Sequence, residues 1–285
     1  MLTDDELKKF KEDGYLIKNV LSESEINSYR ELIKTHIDPQ NDKMMNIQFM
    51  NPDIEINGIQ RIINNKKIIE ICGDLLTGGK VILDGASFFY APKGIDYRQG
   101  WHRDIIQIPD EDISDSWFSK EHFHNNVQIN IPLYEDKCLW FVKGSHSRNF
   151  NNIEMEVFSG SNKIAPLKLP DINIGDNIVL KPGEAIFYNN LAIHRGYGGI
   201  LMNERATIQL GYHTNKYEPT CHFGVINYHK FDESYIHSLD EEVKNTIIEH
   251  ISERKKWYKS EYYYNLHQDF IRSQFDILVS KDEKN

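Results

Sequence analysis

The chain has 285 residues, of which 40% are hydrophobic and 27% are charged, an ordinary composition for a globular protein with its own core. Its formal net charge of −10 disfavours a nucleic-acid partner, because a phosphate backbone would be repelled. No apolar run approaches the roughly 20 residues that span a bilayer, and the acidic N-terminus is unlike a secretory signal, so we expect a cytoplasmic protein without a membrane partner.

Two helices and a strand are predicted at the N-terminus. Thr3 with Glu6, and Ser22 with Glu25, form capping boxes that mark the starts of the two helices. The segment "YLIKNVL" between them predicts a strand. Residues 38–60 are polar and irregular, and "NKKIIEICGDLL" then predicts a short helix.

The hydrophobic period changes to two from residue 80, which is typical of strands. The strand-like segments are "KVILDGASFFYAP", "NNVQINIPLYE", "CLWFVKGS", "NIVLKPGEAIFYNN" and "RATIQLGYHT". Helices, then strands, then helices fit an α+β domain built around a β-sandwich or barrel. We therefore expect a single domain with an N-terminal region at 1–79, a strand core at 80–231 and a C-terminal helical extension at 232–285.

The tripeptide His102-Arg103-Asp104 has two interpretations. It matches the start of a protein-kinase catalytic loop, but a kinase needs an Asn five residues after the Asp, and here that position is Pro109. It also contains His-x-Asp, which on a strand places both side chains on one face and supplies two ligands of a non-haem Fe(II) site. The sequence has neither the glycine-rich loop nor the Asp-Phe-Gly motif of kinases, which favours the metal interpretation.

A non-haem iron site of this kind needs a second histidine. His194 ends the apolar segment "FYNNLAIH" and precedes a glycine-rich stretch, where a ligand can project from a rigid scaffold. Arg205 begins the strand "RATIQLGYH", and a lone Arg in an apolar strand is costly unless it is paired. Arg can bind a carboxylate through two hydrogen bonds, so Arg205 suits the distal carboxylate of a 2-oxoglutarate cosubstrate.

The chain resembles the phytanoyl-CoA dioxygenase family over about residues 1–215. The resemblance lies in the opening "LTDDELKKFKEDGYLIKNVLSESEI" and in the segments "WHRD", "GSH" and "KPGEAIFYNNLAIHRGYGGILMNERATIQ". It implies a double-stranded β-helix, a jelly-roll or cupin-like barrel, with N-terminal and C-terminal helices packed outside. It also implies Fe(II) bound by His102, Asp104 and His194, with Arg205 holding 2-oxoglutarate and O2 as the oxidant.

The sequence departs from the family pattern at two positions. Many members carry Ser two residues after the distal His, where this chain has Gly196, and Lys on a preceding strand, near Tyr90. We expect Tyr90, Gln128 and Thr207 to contact the cosubstrate through hydrogen bonds in place of these residues.

Residues 105–125 follow the His-x-Asp pair directly and are too many for a simple turn. We expect this segment to form part of a substrate lid that excludes water; the alternative is that its aromatic residues pack on the outside of the barrel. The side chains expected to contact substrate are Arg103, Gln107, Trp117, His124 and Trp140.

These observations predict an Fe(II)- and 2-oxoglutarate-dependent dioxygenase that hydroxylates a C–H bond of a small organic substrate and releases succinate and CO2. Two alternatives stay open. One is a cupin-like isomerase or hydrolase that uses the metal without 2-oxoglutarate, and the other is a binding protein of the same fold without catalysis. The sequence leaves the identity of the substrate and the oligomeric state open.

Overall fold

The structure is a computed structural model, and the residues that it describes are 1–35, 37, 43–48, 58–104, 118, 121–158, 173–217 and 233–258. The α-helices within these residues are α1 (Asp4–Asp13), α2 (Glu23–Lys34), α3 (Lys66–Leu75), α4 (Asn152–Phe158), α5 (Glu233–Ser238) and α6 (Glu241–Tyr258). The strands are β1 (Tyr15–Asn19), β2 (Met45–Gln48), β3 (Val81–Ala91), β4 (Asp96–Arg98), β5 (Val127–Pro132), β6 (Asp136–Phe141), β7 (Asp176–Leu180), β8 (Glu184–Asn189), β9 (His194–Ile200) and β10 (Arg205–Thr214).

The strands form two antiparallel sheets. The larger sheet has six strands in the order β1-β8-β5-β10-β3-β2, and the smaller one has four in the order β4-β9-β6-β7. Strands that pair in the larger sheet can be far apart in sequence. For example, β10 pairs with both β3 and β5. The mixed helix and antiparallel-sheet architecture confirms the α+β prediction.

Both predicted capping boxes are present in the N-terminal helices. The Thr3 side chain accepts from the Glu6 N–H at the start of α1, and Ser22 does the same for Glu25 at α2. Gly14 ends α1 in the left-handed conformation with φ of 84°, where a side chain would be strained. The local signals therefore fix the turn that delivers the chain into β1.

The N-terminal region also supplies both edges of the larger sheet. β1 pairs with β8 along Tyr15–Asn19, and β2 pairs with β3 along Met45–Gln48. The prediction that residues 38–60 are irregular was wrong for β2. A short polar edge strand carries little hydrophobic alternation of its own, and its pairing with β3 is a tertiary interaction that local sequence does not show.

The long strands β3, β5, β6, β8 and β10 confirm the period-two predictions, whereas β9 was missed. Its glycine-rich segment "HRGYGGI" is not among the predicted strand-like segments, yet it forms a strand at His194–Ile200. His102 does not lie in a regular strand either, because it makes an isolated bridge with His194.

The apolar side chains pack in layers on each face of the larger sheet. Leu83, Phe88 and Ile208, for example, belong to the main cluster, and Phe141, Ile186 and Tyr188 belong to a second one.

The C-terminal helix α6 is anchored on the larger sheet. The Arg254 guanidinium donates to the Asp84 carboxylate, both fully buried, and His250 Nδ1 lies 2.8 Å from the Leu83 carbonyl. The helices predicted beyond Tyr258 lie outside the described residues. Within the part of the chain that the structure describes, no helix has the length and apolar character that crossing a membrane requires.

Candidate metal centre

Backbone pairing brings the two sequence-predicted histidines together. The His102 N–H donates to the His194 carbonyl at 2.9 Å, and the His194 N–H donates back to the His102 carbonyl at 3.0 Å. This reciprocal pair holds the two imidazoles side by side, with ring centroids 4.4 Å apart. Asn190 fixes Asp104 in a similar way. The Asp104 N–H donates to the Asn190 carbonyl, and the Asp104 carbonyl accepts from the Asn190 side-chain amide.

The three side chains present their ligand atoms to one point. One ligand atom from each of His102, Asp104 and His194 lies within 4.8 Å of the other two. His102 Nδ1 lies 2.8 Å from the Gly100 carbonyl and His194 Nδ1 lies 3.0 Å from the Ala192 carbonyl, so both Nδ1 atoms are donors. Both Nε2 lone pairs are then available to a metal, and the carbonyls orient the rings.

The electrostatics of the cluster favour a cation. Burial lowers the pKa of His194, but the Asp104 carboxylate at 3.2 Å and the hydrogen bond to Ala192 outweigh burial, so the pKa of His194 is raised. A buried carboxylate that attracts a proton onto a neighbouring imidazole attracts a divalent ion for the same reason. Two neutral imidazoles and one carboxylate are a donor set that suits a transition metal.

Arg205 lies in the same cavity as the three candidate ligands, at the start of β10. Its Nε donates to Asp136 Oδ2 at 2.8 Å, and both side chains are buried. The guanidinium is 5.0 Å from the ring centroids of both Phe89 and Tyr97. Asp136 and the two rings therefore fix the orientation of a cation whose Nη1 edge turns toward the Tyr97 hydroxyl, 3.4 Å away.

Asp136 was missed by sequence reasoning, although a signal was present. A buried Arg requires a carboxylate partner, and only a ligand carboxylate had been considered. Asp136 accepts from Arg205, from the Thr207 hydroxyl at 3.3 Å and from the Cys138 N–H at 2.8 Å. These contacts make Asp136 the residue that positions Arg205.

Tyr97 and Gln99 leave no room for a side chain at Gly196. A Cβ on Gly196 would overlap the Tyr97 hydroxyl and would lie 2.6 Å from the Gln99 side-chain oxygen. Tyr97 and Gln99 therefore occupy the space that a side chain at position 196 would need. Burial raises the pKa of Tyr97, so its hydroxyl keeps its proton and can donate into the cavity.

The rest of the cavity wall combines uncharged polar side chains with apolar ones, which include Phe89, Leu139 and Leu210. Gln128, predicted to contact the cosubstrate, lies on this wall. Sequence reasoning did not identify six further amide and hydroxyl side chains on this wall, since nothing in the local sequence distinguishes them. They are Asn46, Gln48, Ser87, Gln99, Asn130 and Gln209.

Two predicted cosubstrate contacts do not line the cavity. Tyr90 neighbours Phe89 on β3 and therefore projects from the opposite face, where its hydroxyl lies 3.2 Å from the Glu204 carboxylate. Thr207 is fully buried and donates to Asp136. Tyr90 thus lies on the face away from the cavity and Thr207 contacts Asp136, the partner of Arg205, and their contacts with the cosubstrate stay predictions.

Three predicted substrate contacts also lie away from the cavity. Arg103 is held behind the metal centre, where its guanidinium donates to the carbonyls of Ser145, Leu191 and Arg148. The Trp140 indole, on the opposite face of β6 from the cavity-lining Leu139, donates to the Tyr197 carbonyl at 2.9 Å. His124 Nε2 donates to the Phe118 carbonyl at 2.9 Å. Each of these polar groups is engaged by a backbone carbonyl, and the substrate contacts stay predictions.

Little of the predicted lid can be compared with the structure. Gln107 and Trp117 lie outside the described residues, as does most of 105–125. Within the described part, Phe118 is buried and its ring lies 4.8 Å from the Arg103 guanidinium. The lid therefore stays a prediction.

Comparisons with known proteins agree on the fold. No protein-family model matches the chain. A methylphosphonate hydroxylase from Gimesia maris is 20% identical over 225 residues, which cover 74% of this chain and 80% of that protein. The crystal structure of HygX from Streptomyces hygroscopicus with nickel and 2-oxoglutarate bound superposes with a TM-score of 0.57 at 16% identity, over 75% of this chain and 88% of HygX.

A second solved structure extends the pattern. SnoK, described as a non-haem alpha-ketoglutarate-dependent carbocyclase from nogalamycin biosynthesis, superposes with a TM-score of 0.54 at 17% identity, over 78% of this chain and 89% of SnoK. At these identities the likeness establishes a shared fold. The resemblance to the phytanoyl-CoA dioxygenase family stays an interpretation of the motifs.

Proposed function

We propose that the protein is an Fe(II)- and 2-oxoglutarate-dependent oxygenase that hydroxylates a C–H bond of a small organic substrate. The observation that carries this proposal is the placement of His102, Asp104 and His194 in one cavity with the buried Arg205. Two neighbours of the same fold, HygX and SnoK, are described as binding 2-oxoglutarate or depending on it. The two sheets then correspond to the two faces of a double-stranded β-helix.

The residues present fit the metal. The Nε2 atoms of His102 and His194 lie 3.6 Å and 3.2 Å from the Asp104 carboxylate oxygens, and the Nδ1 protons are held by backbone carbonyls. With Fe(II) and 2-oxoglutarate bound, the site supplies the oxidation of a C–H bond by O2, with release of succinate and CO2. The chain itself sets the ring orientations and places one carboxylate beside two imidazoles.

Arg205 and Tyr97 suit the distal carboxylate of the cosubstrate. Arg205 offers charge-assisted hydrogen bonds from a guanidinium that Asp136 has already oriented, so little side-chain entropy remains to be lost. The Tyr97 hydroxyl can accept from Arg205 and donate its own proton to a carboxylate oxygen. The absence of a side chain at Gly196 leaves the hydroxyl in place.

Succinate production tests the proposal against its two alternatives. The purified protein with Fe(II) should convert 2-oxoglutarate to succinate in the presence of O2, slowly without substrate and faster with it. The Asp104→Ala variant should lose this conversion, because it removes the carboxylate from the metal cluster. A metal-dependent reaction without succinate would favour the cupin-like isomerase or hydrolase. Absence of both turnover and 2-oxoglutarate binding would favour a non-catalytic binding protein.

A further inference from the structure

A row of uncharged polar side chains crosses the inner face of the larger sheet. Gln48 on β2 pairs with Ser87 on β3, and Gln209 on β10 pairs with both Ser87 and Asn130 on β5. Directly paired residues on neighbouring strands point to the same face, so the four side chains form one line across four strands. All four line the cavity that contains the metal centre, and the Ser87 hydroxyl lies 3.3 Å from the Gln209 side-chain oxygen.

The row lies apart from the carboxylate-binding end of the cavity. Gln209 is four residues beyond Arg205 on β10, which corresponds to about 13 Å along a strand that rises about 3.3 Å per residue. A five-carbon diacid held by Arg205 does not extend that far along the strand. The row is therefore available to a second molecule.

The charge of the wall limits what that molecule can be. Among the described residues that line the cavity, Arg205 is the one Lys or Arg, and Asp104 is the one carboxylate. Arg205 is paired with Asp136, and Asp104 belongs to the metal cluster. Side-chain amides offer both donors and acceptors, as hydroxyl groups do, and carry no net charge.

We propose that this row, Gln48, Ser87, Gln209 and Asn130, binds the substrate, and that the substrate is an uncharged molecule with several hydroxyl groups, such as a sugar or a cyclic polyol. The inference rests on the proposed oxygenase function and specifies the substrate class of the same site. A phosphonate would find no second Lys or Arg among the described residues that line this wall. An acyl chain would cover the amide and hydroxyl groups of the row without offering them hydrogen bonds, which is unfavourable.

Ligand binding can be measured without turnover. The protein loaded with Mn(II) and 2-oxoglutarate, in the absence of O2, is titrated calorimetrically with glucose, sucrose, trehalose and myo-inositol, and in parallel with methylphosphonate and hexanoate. We expect saturable binding of at least one uncharged hydroxylated probe and no binding of methylphosphonate or hexanoate. Gln209→Leu and Ser87→Ala should each weaken that binding at least tenfold.

Gln60→Leu is the matched control, since Gln60 lies on a short 3-10 helix and does not line the cavity. It should bind the probe like the wild type, and 2-oxoglutarate binding reports that every variant is folded. Tighter binding of methylphosphonate or hexanoate, binding of no uncharged probe, or unchanged affinity in both row variants would each overturn the inference. Those results leave the oxygenase proposal standing, whereas failure of the wild type to bind 2-oxoglutarate contradicts the oxygenase proposal itself.

Discussion

Gly196 lies on β9 and lines the cavity beside the candidate cosubstrate site. It follows the candidate ligand His194 by two positions on β9, and its carbonyl accepts from the Gln99 N–H at 2.7 Å. Because Tyr97 and Gln99 fill the space above its Cα, an added side chain cannot be accommodated without moving one of them. The sequence marked Gly196 as a departure from the family, but only the packing of Tyr97 gives the reason.

We predict that Gly196→Ala weakens 2-oxoglutarate binding at least tenfold, because the new methyl group displaces the Tyr97 hydroxyl. Calorimetric titration of 2-oxoglutarate into the Mn(II)-loaded variants measures the effect. Gly73→Ala, whose Cβ would meet its nearest neighbour at an ordinary 3.8 Å, is the control; wild-type affinity in Gly196→Ala would contradict the prediction.

Asp136 offers a second residue-scale prediction, this one on stability. Asp136→Asn leaves the buried Arg205 without its charged partner, which should lower the free energy of unfolding by about 3–5 kcal/mol. Urea denaturation of the metal-free protein measures it. Asp176→Asn, an exposed carboxylate 3.7 Å from Lys143, should change stability by less than about 1 kcal/mol. Equal losses of unfolding free energy in both variants would show that burial of the Arg205–Asp136 pair does not determine its contribution to stability.

At the scale of elements, what could be predicted depended on whether the information was local. Capping residues and regular alternation are local, so α1, α2, β3 and β10 were predicted close to their ends. The His-x-Asp pair was found from its ligand spacing, and Arg205 because a charge is unusual in an apolar strand. The Arg205–Asp136 pair spans 69 residues and β2 pairs at a sheet edge, so no local pattern shows either interaction.

Helix α6 gives the element-scale prediction, because two Arg–Asp pairs tether it in different surroundings. Arg254 near its end pairs with Asp84 in full burial, and Asp240 just before its start pairs with the exposed Arg61. Arg254→Met should lower the free energy of unfolding by about 3–5 kcal/mol, since it leaves Asp84 buried without its cation. Arg61→Met should cost less than about 1 kcal/mol.

Urea denaturation again measures both variants, and proteolysis reports whether α6 is released. A loss in Arg61→Met as large as in Arg254→Met would contradict the account of α6 as anchored by its buried end. The C-terminal extension, which lies outside the family resemblance, would then be attached by its surface contacts.

At the scale of the whole molecule, stability should depend on pH through His146. Burial lowers the pKa of His146 from 6.5 to about 4, helped by the nearby His124 and Arg103. Its ring packs against Gly14, where a Cβ would lie 2.5 Å from Nδ1, and its Nε2 lies 3.1 Å from the Lys11 carbonyl. His146 therefore joins the N-terminal turn to the segment that supports the metal centre.

The neutral form of His146 is favoured in the folded protein, so its contribution to stability is complete above pH 6.5 and is lost as the pH falls toward about 4. Between pH 7 and pH 4.5 this loss should be about 2–3 kcal/mol. Urea denaturation of the metal-free protein at both values measures it. In His146→Gln the difference between the two pH values should shrink by that amount, and an unchanged difference would assign the pH dependence to other groups.

The division of the chain into 1–79, 80–231 and 232–285 within one domain stays a prediction, and the structure adds how its parts are connected. β1 and β2, from the first part, close both edges of the larger sheet, and α6 packs on that sheet from the last. Three segments that are distant in sequence thus support one cavity, and local sequence patterns do not show this arrangement.

We propose that His102, Asp104 and His194 bind Fe(II), and that Arg205 binds the far end of 2-oxoglutarate. Chelation of Fe(II) by the keto acid gives a visible absorption band, so anaerobic titration of 2-oxoglutarate into the Fe(II)-loaded protein reports both. We expect a saturable band in the wild type and none in His194→Ala. In Arg205→Ala, loss of roughly 2–4 kcal/mol of charge-assisted binding should raise the half-saturating 2-oxoglutarate concentration about 30- to 1000-fold. A full band in His194→Ala, or unchanged half-saturation in Arg205→Ala, would contradict the account.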